Sequence, residues 1–288
     1  GDPDFSQHLT APGHPTAVAA IKNSDTNLAT VLAALENKGV RGKTNLFVVS
    51  DHGFSTIART VDVVAFLKKA GIAAFKEFKV APNRDDALVV NTGGCTAIYV
   101  IGREKAAVQK IVDLIQSSEF AGPIFTRLGL PGTFPFSHGR FDSPDSADIV
   151  FPFRTLPGNN KYGAPGLIYG EGRRPGGGTH GTLGKSDVNN TLVAAGPDFR
   201  AGLRSELPSG NIDVVPTMLH LLGLPPPTPT DGRVLREALA GDEWNPPAPA
   251  IQWLKAERKL GDKTWRQWIQ TSTFAGSIYF DQGDAGAE

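Results

Sequence analysis

Apolar residues along this chain fall into short blocks with two periodicities, separated by stretches rich in glycine and proline. Val18, Ile21, Leu28, Val31, Leu32 and Leu35 recur at three- and four-residue steps, which predicts a helix from Pro15 with these residues on one face. Pro15 near its start and Gly39 just past its end fit the usual asymmetry of helix ends. The next block, Asn45-Leu46-Phe47-Val48-Val49-Ser50, is a continuous apolar run that stops at Asp51-His52-Gly53-Phe54. It predicts a buried parallel strand over 45–50 with Asp51 and His52 at its carboxyl end, where open α/β sheets place their ligands.

Further blocks predict a short helix over 62–70 and two strands, 87–90 and 97–101, joined by the turn Thr92-Gly93-Gly94. An amphipathic helix is predicted over 103–117. Residues 118–185 read as an irregular, loop-rich insertion with at most two short strands, 124–127 and 148–153. Leu192–Ala195 predicts another buried strand, and Asp213 is a good N-cap for a helix through Val214, Val215, Met218, Leu219 and Leu222. Residues 1–14 read as loop. The tail is expected to hold a helix near 249–260 and a short β ending at 277–280. Alternation of strands and helices argues for an α/β layer fold. Residues 1–240 form its main body, and 241–288 a tail whose tryptophans (Trp244, Trp253, Trp265, Trp268) anchor it to the same domain.

Composition narrows the function classes. The 288 residues carry 29 basic and 29 acidic side chains, so no nucleic-acid surface or membrane-attracted face is indicated. An anionic substrate would need local positive charge, such as bound metal. The single cysteine, Cys95, rules out an intrachain disulfide. No apolar run approaches the roughly 20 residues that span a bilayer.

Three stretches carry candidate chemistry. Asp4 and His8 are four residues apart, a spacing that lets both reach one ion. Asp51 and His52 are adjacent at a strand end. His180 is followed by Gly181 and preceded by Gly176-Gly177-Gly178-Thr179, so backbone can approach it closely. Imidazole nitrogen and carboxylate oxygen are the ligands zinc accepts, three or four per ion. Taken singly each stretch has a bland alternative: a surface pair, a strand-to-helix cap, a flexible loop. Arg173 and Arg174 could meet a phosphate at a pocket rim or sit in a solvated loop. Lys185 and Asp187 could orient His180 or cap a helix.

As a set and in this order, the stretches resemble the type I phosphodiesterase / nucleotide pyrophosphatase family of the alkaline-phosphatase superfamily. Pro3-Asp4-Phe5-Ser6-Gln7-His8 is similar to that family's Pro-Asp-x-x-x-His element, and Val49-Ser50-Asp51-His52-Gly53-Phe54 to its Ser-Asp-His-Gly element. Gly178-Thr179-His180-Gly181, with Asp187 to Phe199 after it, resembles its last histidine segment. The stretch from Ile212 to Gly223 resembles the family's last core helix, and Asp231-Gly232-Arg233 the loop after that helix.

The resemblance implies a mostly parallel central sheet flanked by helices, alkaline-phosphatase-like, and two divalent metal ions, zinc first among them. Asp4, His8 and His180 would hold the ion that activates water, and Asp51 and His52 the second. It implies hydrolysis of a small phosphodiester or nucleotide pyrophosphate, through a threonine or serine nucleophile and metal-activated water. The family carries that nucleophile and a further aspartate ligand upstream of the Pro-Asp-x-x-x-His element. Only three residues precede Asp4 here. The fold is therefore expected to be incomplete at its N-terminal side, the chain a carboxyl-terminal part with no nucleophile of its own, and its isolated activity very weak or absent. Export to the periplasm or medium is expected from the resemblance alone. Phosphomonoesterases, phosphonate hydrolases and sulfatases of the superfamily share the metal set, and a non-catalytic metal-binding domain is the reading from outside enzymology.

Overall fold

In the computed structural model of residues 1–288, the chain opens with helices α1 (Asp4–Thr10) and α2 (Pro15–Asn37) and strands β1 (Leu46–Val49) and β2 (Ser55–Thr60). Helix α3 (Val63–Lys69), strands β3 (Ala74–Phe75), β4 (Ala87–Asn91) and β5 (Cys95–Val100), and helix α4 (Lys105–Gln116) are the next elements. After them come β6 (Phe125–Thr126), β7 (Phe134–Pro135), β8 (Ile149–Pro152), β9 (Thr155–Asn159), β10 (Pro165–Gly170) and β11 (Gly178–Thr179). Helix α5 (Lys185–Val188), strand β12 (Leu192–Ala195) and helix α6 (Val214–Leu221) lead to three long strands, β13 (Ala250–Leu260), β14 (Lys263–Phe274) and β15 (Ser277–Ala287).

The main core lies between a six-stranded sheet, in the order β3-β4-β5-β8-β6-β7, and helices α3 and α4. Helix α4 turns Val108, Ile111, Val112 and Ile115 inward at three- and four-residue steps, as its sequence pattern predicts. They meet Val89, Ile98, Ile149 and Phe151 from the sheet. Burying side chains of this size contributes about 1.5–3 kcal/mol each. Phe120, Ile124 and Phe153 join the same core, and the stretch 118–185 holds more than the two short strands expected. It carries six short strands. They escape the period-two pattern because most are only two to six residues long and are interrupted by Pro and Gly.

The α/β class stands, but the chain's ladders are mainly antiparallel. Strands β2 and β10, β3 and β4, and β6 and β7 pair in parallel; the other pairs are antiparallel. β1 departs furthest from expectation. It pairs antiparallel with β12 alone, and Val48, Val49 and Val193 are 40%, 40% and 54% exposed. A strand is buried on both faces only where other layers cover it, and no such cover lies over this two-stranded ladder. Helix α2 matches its predicted bounds, yet Val18, Ile21 and Val31 of its apolar stripe face solvent, while Ala17 and Ala20 are buried.

The tail corrects a second expectation. Residues 250–260 form a strand, not a helix. Leu, Lys, Ala, Glu and Arg favour helix locally, but the segment pairs in register with β14 from Ala250↔Thr273 to Leu260↔Lys263. Its alternate residues Leu254 and Ala256 pack on Phe125, Phe134, Phe136 and Ile269. Ladder pairing and a buried face override weak local preference. Trp265 is fully buried, and its indole N–H donates to the Gly132 carbonyl at 3.0 Å. Tyr279 donates its hydroxyl to the Asp213 carboxylate at 3.1 Å. Asp213 does not cap α6 with its side chain. Its oxygens accept from the N–H groups of Gly210 and Arg233, at 2.9 and 2.8 Å, and so join α6 to the loop before β13.

Candidate metal centre

Antiparallel pairing of β2 with β11 builds the site. The register Thr179↔Ser55 puts the residue after Thr179 and the residues before Ser55 at the same end of the ladder. His180 and His52 therefore meet, their rings stacked with centroids 3.5 Å apart. The segment 50–53 reaches this point directly from β1, so Asp51 and His52 do sit just past that strand's carboxyl end.

Asp4 and His8 lie on α1, a helix where loop was expected. The Asp2 carboxylate accepts from the Ser6 N–H at 3.2 Å and from the Ser6 hydroxyl at 2.6 Å, which starts the helix. Ala11, with φ of 69°, ends it. A helical i, i+4 step places Asp4 and His8 on one face, and that face packs on β11. The Ser6 and Thr10 hydroxyls are occupied by Asp2 and by the Ser6 carbonyl.

Three imidazoles converge on one carboxylate oxygen. Asp4 Oδ1 lies 3.3 Å from His8 Nε2, 3.7 Å from His180 Nε2 and 4.0 Å from His52 Nε2. It is buried and has no hydrogen-bond donor. His8 Nδ1 lies 2.9 Å from the Gly178 carbonyl, and His52 Nδ1 lies 2.9 Å from the Gly53 carbonyl. A carbonyl only accepts, so each Nδ1 carries the proton and, in the neutral ring, each Nε2 keeps a free lone pair. That tautomer suits a metal ligand. Ligand atoms of Asp4, His8 and His180 lie within 4.8 Å of one another. Asp51 Oδ2 is 3.5 Å from His52 Nε2, and the Asp51 side chain is 88% exposed. Burial, then the neighbouring His52 and His8, hold His180 below its ordinary value, which favours its neutral form.

Glycines and a buried acid hold these groups in place. A Cβ on Gly94 would lie 2.7 Å from the His180 carbonyl carbon, and the Gly94 N–H donates to that carbonyl at 3.0 Å. The β4–β5 turn, legible as Thr92-Gly93-Gly94, is thus pressed onto His180. A Cβ on Gly53 would collide with the carbonyl oxygens of Ser186 and Asn189. Asp187, 4% exposed, accepts from the Thr182 N–H at 2.9 Å, the Thr182 hydroxyl at 2.6 Å and the Ser55 hydroxyl. It joins the segments that carry His52 and His180. Of its two readings from the sequence, orientation of the histidine segment is the one the contacts support; Lys185 makes no such bond to His180.

Asn91 and Glu171, which sequence reasoning passed over, line a cleft beside His8 and His180. Only the glycines flanking Glu171 hinted at it. Arg173 stands exposed in the same cleft.

The fold is of the α/β class and gathers a His/Asp cluster at the junction of two sheets. The family model of type I phosphodiesterases / nucleotide pyrophosphatases matches residues 1–154, more than half of the chain, and the chain belongs to that family. The match includes Asp4, His8, Asp51 and His52 and ends before His180. Human ectonucleotide pyrophosphatase/phosphodiesterase family member 7 is 23% identical over 228 residues, covering 78% of this chain and 44% of the relative. The rat protein of the same name is 22% identical, covering 81% and 48%. Among solved structures, murine ectonucleotide pyrophosphatase/phosphodiesterase 5 superposes with a TM-score of 0.60 at 16% identity, over 83% of this chain and 57% of that one. An inactive variant of it in complex with AMP superposes equally, at 17% identity. The chain spans about half the length of the curated relatives it matches. No helix is long and apolar enough to cross a membrane.

Proposed function

We propose that this chain carries the metal-binding part of a hydrolase of phosphodiester or nucleotide pyrophosphate bonds. Asp4, His8 and His180 hold one divalent ion, zinc by its preference for this donor set, and Asp51 and His52 belong to a second. The observation that carries the reading is the orphaned Asp4 Oδ1 with three imidazole Nε2 atoms around it. A buried carboxylate oxygen without a donor is costly unless a cation satisfies it. Bound divalent ions supply Lewis acidity, an acidified water and charge to stabilise a phosphoryl group in transfer.

The chain's own residues prepare that chemistry. Gly178 and Gly53 carbonyls fix the tautomers of His8 and His52. Asp187 holds the β2 and β11 segments together through Ser55 and Thr182. Burial favours the neutral form of His180, the form able to bind an ion. The ectonucleotide names of its relatives support a phosphoester or nucleotide substrate and an exported location.

Metal analysis of the purified chain tests the reading. After saturation with zinc at neutral pH and exhaustive dialysis, about one zinc or more per chain is expected. Asp4→Ala and His180→Ala are each expected to lose most of it while keeping the far-ultraviolet circular dichroism of the parent. Less than one zinc per parent chain under these conditions overturns the Asp4/His8/His180 site. A second reading, binding without hydrolysis, keeps the zinc and gives no metal-dependent cleavage of a phosphodiester in the longest natural protein that contains these residues.

A further inference from the structure

The ladder of β1 with β12 ends at Val49, just short of Asp51 and His52. Ser50 extends it by one step. Its N–H donates to the Thr191 carbonyl at 3.0 Å, and its hydroxyl oxygen accepts from the Thr191 N–H at 2.8 Å. Backbone pairing resumes at Gly53, whose N–H donates to the Asp187 carbonyl at 2.8 Å.

Between these points two asparagine amides hold the backbone. Asn190 Nδ2 donates to the Ser50 carbonyl at 2.7 Å. Asn211 Nδ2 donates to the Asp51 carbonyl at 2.9 Å and to the Ser50 carbonyl at 3.2 Å. The amides are also joined to each other, Asn190 Nδ2 donating to Asn211 Oδ1 at 2.7 Å. Carbonyl oxygens only accept, so both amide nitrogens must face them. Asn211 stands in the turn Asn211–Asp213 before α6, yet its amide bonds nothing in that turn. It is exposed and Asn190 is half-buried, so neither fills a core.

The Ser50 carbonyl belongs to the peptide before Asp51, and the Asp51 carbonyl to the peptide after it. Holding both planes fixes the two soft dihedrals between them, and with them the direction of the Asp51 Cβ. The Asp51 side chain has little else to direct it: it is 88% exposed, with His52 Nε2 3.5 Å away.

We infer that Asn190 and Asn211 are positioning residues for Asp51, setting the backbone that aims its carboxylate at the second ion. The inference rests on the proposed metal site and adds the groups that orient one of its ligands. Partners that orient a metal ligand are worth about ten- to a hundredfold in affinity.

Asn211→Leu keeps the bulk of the side chain and removes its bonds to both carbonyls. Two readouts test it. In the metal-free protein, amide order parameters at Asp51 and His52 are expected to fall from about 0.85 to below about 0.6, with Gly181 unchanged. In zinc titrations against a competing chelator, the equivalent that Asp51→Ala weakens is expected to weaken about tenfold, and the other to stay as in the parent. Asn190→Leu is expected to move both readouts in the same direction. Order parameters unchanged in both variants, or a loss shared equally by the two zinc equivalents, overturns the positioning role and leaves the metal reading standing. A parent chain that takes up no zinc overturns the metal reading itself, whatever the order parameters show.

Discussion

Replacing Asp187 with alanine should destabilise the fold through unpaired donors. Three donors lose their acceptor: the Thr182 amide at 2.9 Å, the Thr182 hydroxyl at 2.6 Å and the Ser55 hydroxyl. Ser55 is fully buried and Thr182 is 5% exposed, so solvent does not replace the carboxylate readily. An unsatisfied buried donor costs about 1–3 kcal/mol. Hydroxyls can rotate to other acceptors and the amide cannot, which brings the sum to about 3–4 kcal/mol. For a chain of this size that is a fall in melting temperature on the order of 10 °C.

Asp187→Asn provides the contrast. Burial outweighs the bonds from Ser55 and Thr182 and holds the Asp187 carboxyl above its ordinary value. The protonated form is thus favoured in the fold. Its contribution is full below the unfolded value of 3.8 and is lost as pH rises through the raised one. Asparagine keeps one oxygen to accept from Thr182 and can place its amide against the Ser55 hydroxyl, so it should cost under about 1 kcal/mol at neutral pH. Thermal unfolding of the metal-free proteins, followed by circular dichroism, separates the two variants. If the alanine variant melts within about 2 °C of the parent, or the asparagine variant falls as far as the alanine variant, the reasoning fails.

The same geometry has other consequences. Gly94→Ala forces a methyl against the His180 carbonyl carbon and should weaken zinc binding at least about tenfold by equilibrium dialysis; unchanged affinity would show that the β4–β5 turn does not position that histidine. His180, held below its ordinary value of 6.5, favours the fold when neutral. That contribution is full above pH 6.5 and is lost as pH falls through the lowered value, so His180→Gln should flatten the acid side of the metal-free protein's stability profile. Desolvation by the surrounding protein pushes the Cys95 thiol up to about 12, although its side chain is only half-buried. At pH 8 it should react with a disulfide reagent more slowly than after denaturation, and equal rates would contradict that desolvation.

The residues that the structure clusters were easier to pick out of the sequence than most of the strands. Asp4, His8, Asp51, His52 and His180 stand out because imidazole and carboxylate are the groups metal chemistry draws on, and because all but His8 sit against glycine, proline or the end of an apolar run. The α4 helix and the β4–β5 hairpin were legible too, since three- and four-residue apolar steps and a Gly-Gly turn are local signals. Strands of two residues such as β6, β7 and β11 carry no period to detect. The β13 segment reads as helix because its side chains favour helix alone, and the ladder to β14 outweighs them.

The sequence by itself determined which side chains are available for metal chemistry and where the chain must turn. Tertiary structure decided which of them meet. Only the antiparallel register of Ser55 with Thr179 brings His52 against His180, and only packing of α1 on β11 brings Asp4 and His8 to both. The same applies to Glu171 and Asp187, whose buried carboxylates draw their roles from neighbours distant in sequence, Asn91 and Lys76 for one and Ser55 for the other. The physical reason is range. Propensity and periodicity act over a few residues, whereas burial, hydrogen-bond satisfaction and charge pairing are set by whichever segments the fold lays side by side.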